Sequence, residues 1–493
     1  MTNKLFNSLE EAEDFLIEQF GDGESFDVGI KHLFVKDLPV LCAYISGLVD
    51  GEALTQLLSS MLPDEDIEID VEDEKEYFES YFNFHGRSEE TERKAYLLSI
   101  LSGQVTFITK SGYCYVAELR NYPGRSPEEP DNEKVIRGSR DGFTEGISQN
   151  TALIRRRIRN SNLRFELHKI SKIGQTDVAI AFMKDVANED MLESLRQRLG
   201  QINHDGLTMA DKSLEEWLFK QKFHPVPFVR YTERPDIAAA HLLEGHIAIL
   251  VDTSPSVILV PVTVFHLLQH AEEYRQAPTV GTFVRFMRYF GSVMGLLLLP
   301  LWYVFATNES LLPDALSFLG TEEKSHVPLL LQILIADIGI EFLRMAAIHT
   351  PSPLSTAMGL VAGGVIIGQI AIDVGLFSSE VVLYTAVAAI LIFIIPSYEL
   401  SISIKIFRLL LLLMTGLWGC QWVIYWFIFI VYVFMFIATN AGTLFMAACS
   451  ILSNSDASCH HSFPNDFGRT KTLCSRFQTA KKIIGAVALV FFM

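Results

Sequence analysis

Cysteine is scarce: six residues, at 42, 114, 420, 449, 459 and 474, in a chain of 493. None forms a CxxC pair and the spacing is irregular, which argues against both a disulfide framework and a zinc ribbon. Reduced thiols facing the cytosol are expected, with Cys459-His460-His461 read as tail sequence and not as a metal set. The N-terminal "MTNKLFNSLEEAEDFLIEQFG" has no basic stretch leading into an apolar one, so it does not read as a signal peptide. Catalytic signatures are missing too. There is no GxGxxG, P-loop, HExxH or Gly-x-Ser-x-Gly, and no nucleophile stands beside a recognisable His and acid. An enzyme is not expected, and no cofactor or metal site is read. Positive charge is in deficit, 40 Lys+Arg against 58 Asp+Glu for a net −18. Phosphate backbones need a basic surface, so nucleic acid is excluded as a partner.

What is abundant is apolar sequence, unevenly placed. Mean hydropathy is +0.27 with 49% hydrophobic residues. From residue 285 onward there are eleven Asp/Glu and eleven Lys/Arg, so the −18 belongs to the first 284 residues. An acidic soluble region therefore precedes a near-neutral apolar one.

The soluble region reads as α/β. "NSLEEAEDFLIEQFG" offers Ser8 as N-cap, Glu11 three residues on and Gly21 as a stop. "FDVGIKHL" and "VLCAYISGLVD" read as strands, "GEALTQLLSSMLP" as a short helix, and the acidic run "DEDIEIDVEDEKEYFE" as a solvated face. Lys110-Ser111-Gly112 suits a hairpin between two strand-like runs. A loop rich in Pro, Gly and charge follows. From about Asn150, a helix places Leu153, Ile154 and Ile158 on one face with Arg155, Arg156, Arg157 and Arg159 around it. That basic cluster suits phosphate, anionic lipid, an acidic neighbouring subunit, or ion pairs within the chain. A strand pair turning at Gly174, a helix starting near Asn188 or Asp190, and two strands around a Ser-Pro turn complete two lobes.

Residues 289–306 carry no charge over eighteen positions, near the length that spans a bilayer. Arg285 and Arg288 precede this run and Glu309, Asp314, Glu322 and Glu323 follow it, which places the N-terminal region in the cytoplasm. Further candidate spans are 327–348, 354–377, 381–396 and the run 404–439, which makes two spans or one long tilted helix. In the third, Gly359, Gly363, Gly364 and Gly368 form small-xxx-small spacings for close helix packing, and Gln369 and Asp373 lie at its far end. The second, "VPLLLQILIADIGIEFLRMAAIHTP", holds Asp337, Glu341 and Arg344 on one helical stripe. An ionisable residue at bilayer depth costs about 2.5–3.5 kcal/mol, so such groups face protein or water. The stripe is read either as a pair locking two helices, or as the lining of a water-filled path, or as the polar side of an interfacial helix.

The stretch "PGRSPEEPDNEKVIRGSRDGFTEGISQNTALIRRRIRNSNL" resembles the signature of the A subunits of spore germinant receptors, the GerA family. The resemblance continues at "EGHIAILVDTSPSVILVP", "EEYRQAPTVGTFVRFMRYFG", "IEFLRMAAIHTPSP", "VIIGQIAIDVGLFS" and "IIPSYELSISIKIFR", to about residue 440. By matching motif, the signature is Pro123, Gly124, Arg125, Glu128, Pro130, Arg137, Gly138, Asp141, Gly142, Phe143, Glu145 and Asn150, continued by Arg155, Arg156 and Arg157. Departures are His246, where the family usually has Arg, and the Met345-Ala346 and His349-Thr350-Pro351 stretches near the charged stripe. Beyond Thr443 the resemblance ends, which reads as a divergent tail or as a change of reading frame.

The resemblance implies a protein of the inner membrane of bacterial spores, with the soluble region toward the spore core. It implies homo-oligomers around an ion-conducting pore, inter-subunit coupling through the signature loop, and work beside the dipicolinic acid release machinery. The expected architecture is an α/β soluble N-terminal domain of two lobes (1–115 and 116–284), a polytopic α-helical membrane domain (285–440) and a core-side tail (441–493). Expected partners are further copies, other spore inner-membrane germination proteins, a small membrane subunit, dipicolinic acid channel subunits and monovalent cations. Asp337, Glu341, Arg344, Gln369 and Asp373 are the pore or gating residues on this reading. The alternative is a non-conducting scaffold or signalling subunit.

Overall fold

The computed structural model describes residues 4–35, 38–61, 78, 88–89, 92–122, 138–219, 225–270, 272–308, 320, 326–348 and 368–419. Ser8 starts the first helix, α1 (Leu9–Phe20), its hydroxyl accepting the Glu11 N–H at 3.1 Å, and Gly21 ends it at φ +78°. These are the residues expected to do so. Ala12, Leu16 and Phe20 recur every four positions and bury one face against a sheet. That sheet takes β1 (Val28–Val35), β2 (Leu38–Ile45), β3 (Ser88–Glu89), β4 (Val105–Thr109) and β5 (Cys114–Ala117) in the order β1-β2-β4-β5-β3, all antiparallel. Gly112 closes the β4–β5 hairpin at φ +84°, a backbone region that favours glycine. α1 and α3 (Arg93–Leu101) cover one face of the sheet, and α2 (Gly51–Ser60) packs on the other.

β5 runs to Ala117, and the Asn121 N–H still donates to Leu48 O at 2.9 Å. The strand and its contacts thus continue past residue 115.

The second lobe repeats the plan with α4 (Ile147–Arg157), β6 (Leu163–Ile170), β7 (Thr176–Met183), α5 (Glu189–Gly200), α6 (Ala210–Phe219), β8 (Arg230–Thr232), α7 (Pro235–Leu243), β9 (Ile247–Val251) and β10 (Val257–Val260). Its sheet order is β6-β7-β9-β10-β8, again antiparallel throughout. β9 and β10 are buried at every residue, as continuous apolar runs covered on both faces must be. α4 and α7 cover one face, α5 and α6 the other. Asn188 caps α5 by accepting the Met191 N–H at 3.1 Å.

Two short helices, α8 (Val264–Leu268) and α9 (Glu272–Arg275), lead into α10 (Pro278–Thr307), followed by α11 (Leu329–Ile348), α12 (Ser379–Phe393) and α13 (Tyr398–Trp418). α10 and α13 are long and apolar enough to cross a membrane, and α12 is a shorter apolar helix. Arg285 and Arg288, the basic flank of the first apolar run, both reach back to the buried carboxylate of Glu273. That tight return requires Gly281, where a Cβ would meet the Glu273 carbonyl. The acidic run after residue 63, the 123–137 half of the signature, Gly359, Gly363 and Gly364, the run 420–439 and the tail lie outside the described residues.

Candidate functional site

The four apolar helices meet around a set of charges. On α11, Asp337 and Glu341 lie one turn apart; on α13, Lys405 and Arg408 do the same, and the two pairs face each other. Arg408 grips Asp337 with two nitrogens, Nε donating to Oδ2 at 3.2 Å and Nη2 to Oδ1, and both side chains are wholly buried. Its Nη1 donates to Gly295 O of α10 at 3.0 Å and to Ala388 O of α12 at 3.3 Å. One guanidinium thus ties four helices. Glycine at 291 and 295 allows this, because a Cβ at Gly295 would come within 3.1 Å of Ile392 Cγ1 and hold α12 away.

Lys405 Nζ donates to Glu341 Oε2 at 2.8 Å and to Asp337 O at 2.9 Å, and lies 3.6 Å from Asp337 Oδ1. Arg344 closes the end of the row. It lies 3.6 Å from Glu341, donates to Ser401 Oγ at 3.0 Å and stacks over the Tyr398 ring at 4.6 Å. Two carboxylates thus meet three bases. In a low-dielectric interior each charge needs a partner, and here every charge has one. The sequence reading placed Asp337, Glu341 and Arg344 on one stripe and missed Lys405 and Arg408. The available signal was a second pair of charges, of opposite sign and at helical spacing, inside another apolar run.

Gln369 and Asp373 form a separate exposed pair, Nε2 donating to Oδ1 at 3.2 Å. Gly368 packs near Val382 of α12.

The second lobe rests on this bundle. Leu267 and Leu268 of α8 pack with Ile395, Leu400 and Ile404, and Val226 packs with Phe407 and Leu411. Ser403 donates to Pro225 O, and Lys212 lies 3.4 Å from Glu399. Most of these bundle contacts fall on α13, the helix that carries Lys405 and Arg408, with Ile392 of α12 and Tyr289 and Leu296 of α10 joining the same cluster.

The described half of the signature works inside the chain. Gly138, at φ +133°, leaves room for the Arg275 guanidinium, which pairs with Asp236. Asp141 pairs with Arg157, the Phe143 N–H donates to Glu233 O at 2.8 Å, and Glu145 O accepts the Thr253 N–H at 2.8 Å. Buried Asn150 accepts from the Thr144 N–H and donates to Thr144 O. Gly142 follows Asp141 in the same loop. Arg155 is fully buried and binds Asp27 of the first lobe through Nε at 2.8 Å and Nη2 at 3.0 Å, while Arg156 lies over Tyr122. Pro123, Gly124, Arg125, Glu128, Pro130 and Arg137 are outside the described residues.

The family profile described as "Bacillus/Clostridium GerA spore germination protein" matches residues 14–465. The chain belongs to the GerA family. The match runs past residue 443, so the sequence resemblance extends further into the tail than motif reading allowed. Stage V sporulation protein AF of Bacillus subtilis (strain 168) is 46% identical to this GerA-family chain over 421 residues, 84% of each protein. Spore germination protein B1 of the same organism is 30% identical over 398 residues, 79% of this chain and 80% of that protein. Spore germination protein A1, also from that organism, is 29% identical over 417 residues, 84% of this chain and 85% of that protein. Among solved structures, the N-terminal domain of the A subunit of the Bacillus megaterium spore germinant receptor GerK3 is 27% identical, covering 54% of this chain and 99% of that one at a TM-score of 0.41.

Proposed function

We propose that this GerA-family protein is a multi-pass subunit of the germination apparatus in the spore inner membrane, with both lobes facing the spore core. One observation carries the reading: the α11 stripe is neutralised from within the chain. With Asp337 held by Arg408 and Glu341 by Lys405, the stripe joins helices and offers no free carboxylate pair to a passing cation. In this state the protein is a signalling or scaffold subunit that helps other germination proteins, dipicolinic acid channel subunits among them, to assemble or open. The second lobe is the control end, because it is seated on α13, so a shift of the lobe pulls on the helix that holds the lock. The signature couples lobe to lobe through Arg155 and at Gly138 holds Arg275 of α9, and on this reading the loop also couples one copy to the next.

A homo-oligomeric channel for monovalent cations is the second reading. It is favoured by Glu341, which stays partly accessible, and by the exposed Gln369–Asp373 pair. Conduction requires Lys405 to leave Glu341. Both readings are tested by ion flux through folded protein of measured oligomeric state in liposomes, beside Asp337→Asn/Glu341→Gln. The proposal expects no selective flux, together with slowed dipicolinic acid release from spores carrying the double variant. Monovalent-cation flux that the double variant alters replaces it with the channel.

A further inference from the structure

Among the described residues, the densest group of ligand-type side chains outside the lock lies where α7 hands over to β9. His241 is in the last turn of α7, Glu244 follows it, Gly245 turns the chain at φ +94°, and His246 enters the sheet. Each of the three brings a ligand atom within 4.8 Å of the others. His241 Nδ1 is buried and makes no hydrogen bond. Its nearest carboxylate oxygen, Glu244 Oε2, is 3.8 Å away. That is too far for a hydrogen bond, and it is near the separation of about 3.3 Å between two ligands on a tetrahedral ion with bonds of about 2.0–2.1 Å.

His246 is oriented by its other nitrogen. Nδ1 lies 3.1 Å from His241 O, and since a carbonyl only accepts, Nδ1 carries the proton. Nε2 is left with the lone pair, which is how a backbone carbonyl presents a metal-ligating imidazole. The Glu244 side chain is open to solvent and gives the ion a way in.

We propose that His241 Nδ1, His246 Nε2 and Glu244 bind one divalent first-row transition ion. Zn²⁺ is the best match to two imidazoles and a carboxylate, and a fourth position is left for water. Arg230 opposes this site and shapes it. Its Nη1 lies 3.3 Å from His241 Nε2 and donates to His266 O at 2.8 Å. With Nδ1 on the ion, Nε2 carries the proton, so Arg230 gives up the imidazole and keeps the carbonyl. The site therefore sits beside α8, whose Leu267 and Leu268 rest on the bundle.

The test uses full-length protein in detergent, stripped with chelator and titrated with Co²⁺ and then Zn²⁺. The expected result is one ion per chain, cobalt d–d bands of low coordination number that Zn²⁺ abolishes, and affinity at least ten-fold weaker in Glu244→Ala and His246→Gln. Glu244 is exposed, so its variant folds and decides the matter even if the histidine variant does not. Failure to bind one ion, or binding that Glu244→Ala leaves unchanged (an ion held elsewhere, as by Cys459-His460-His461), overturns the proposal.

Discussion

Arg155 with Asp27 at the seam between the lobes, and Arg408 with Asp337 between the apolar helices, make the same two-pronged contact in different surroundings. At the seam, Asp27 also accepts from Ser25 Oγ at 2.7 Å, and Arg155 donates to Asn160 O and Leu163 O. The partners come from loops and from the first residue of β6, and if the seam opens, water replaces them. In the bundle the remaining partners are carbonyls of helix backbone, lent by Gly295 and Ala388. Both side chains are wholly buried there, so the pair holds only while all four helices stay together. A seam pair organises a surface; a bundle pair sets a state.

The largest effect is expected from breaking the bundle pair. Arg408→Met leaves buried Asp337 without its two-pronged partner, with only Lys405 Nζ at 3.6 Å, and costs about 3–5 kcal/mol, read as a lowered midpoint for unfolding in mixed detergent. Arg155→Met costs less, about 3 kcal/mol at the lower end of that range, because water reaches Asp27 once the lobes part. It appears as faster hydrogen exchange at residues 25–27 and in β6, with α10–α13 unchanged.

Acid tests the lobe's tolerance of buried imidazolium. The pKa values of His241, His246 and His266 are pushed down by burial, to about 2, 4 and 4, so below the ordinary 6.5 the unfolded chain binds protons that the folded one refuses. Stability is full above pH 6.5 and falls toward pH 4 by about 1.4 kcal/mol per unit for each histidine. Denaturant titrations at pH 7.5, 6 and 5 check the slope, and a lobe equally stable at all three contradicts the burial. The smallest effect is Ser8→Ala, about 1 kcal/mol from the lost cap on α1, confined to the first lobe with no change in the bundle. A bundle response to that variant would mean that the two levels are coupled more tightly than the contacts allow.

Local devices were readable from sequence. Ser8, Gly21, Gly112 and Asn188 act within a few residues, so their chemistry is written beside them. The common stripe of Asp337, Glu341 and Arg344 was readable for the same reason, since helical spacing alone puts them on one side. Their partners were not readable, because Lys405 and Arg408 lie some seventy positions away. Only the packing of α11 on α13 says which charges meet. The same holds for Arg155, which read as part of a basic cluster with four possible uses. It proved to be a buried tie because Asp27, 128 residues earlier, faces it. The histidine group was hidden in another way: His241, His246 and His266 match no motif and converge only after α7, β9 and α8 have been placed.

The lock itself is tested most directly by a double-mutant cycle on Asp337→Asn and Arg408→Met, with unfolding of the full-length protein in detergent as the readout. The account predicts a double variant much less damaged than the sum of the singles, with a coupling of about 2 kcal/mol or more. Additive losses, with coupling below about 0.5 kcal/mol, would mean that the two charges do not hold each other and that the stripe on α11 serves something other than the bundle.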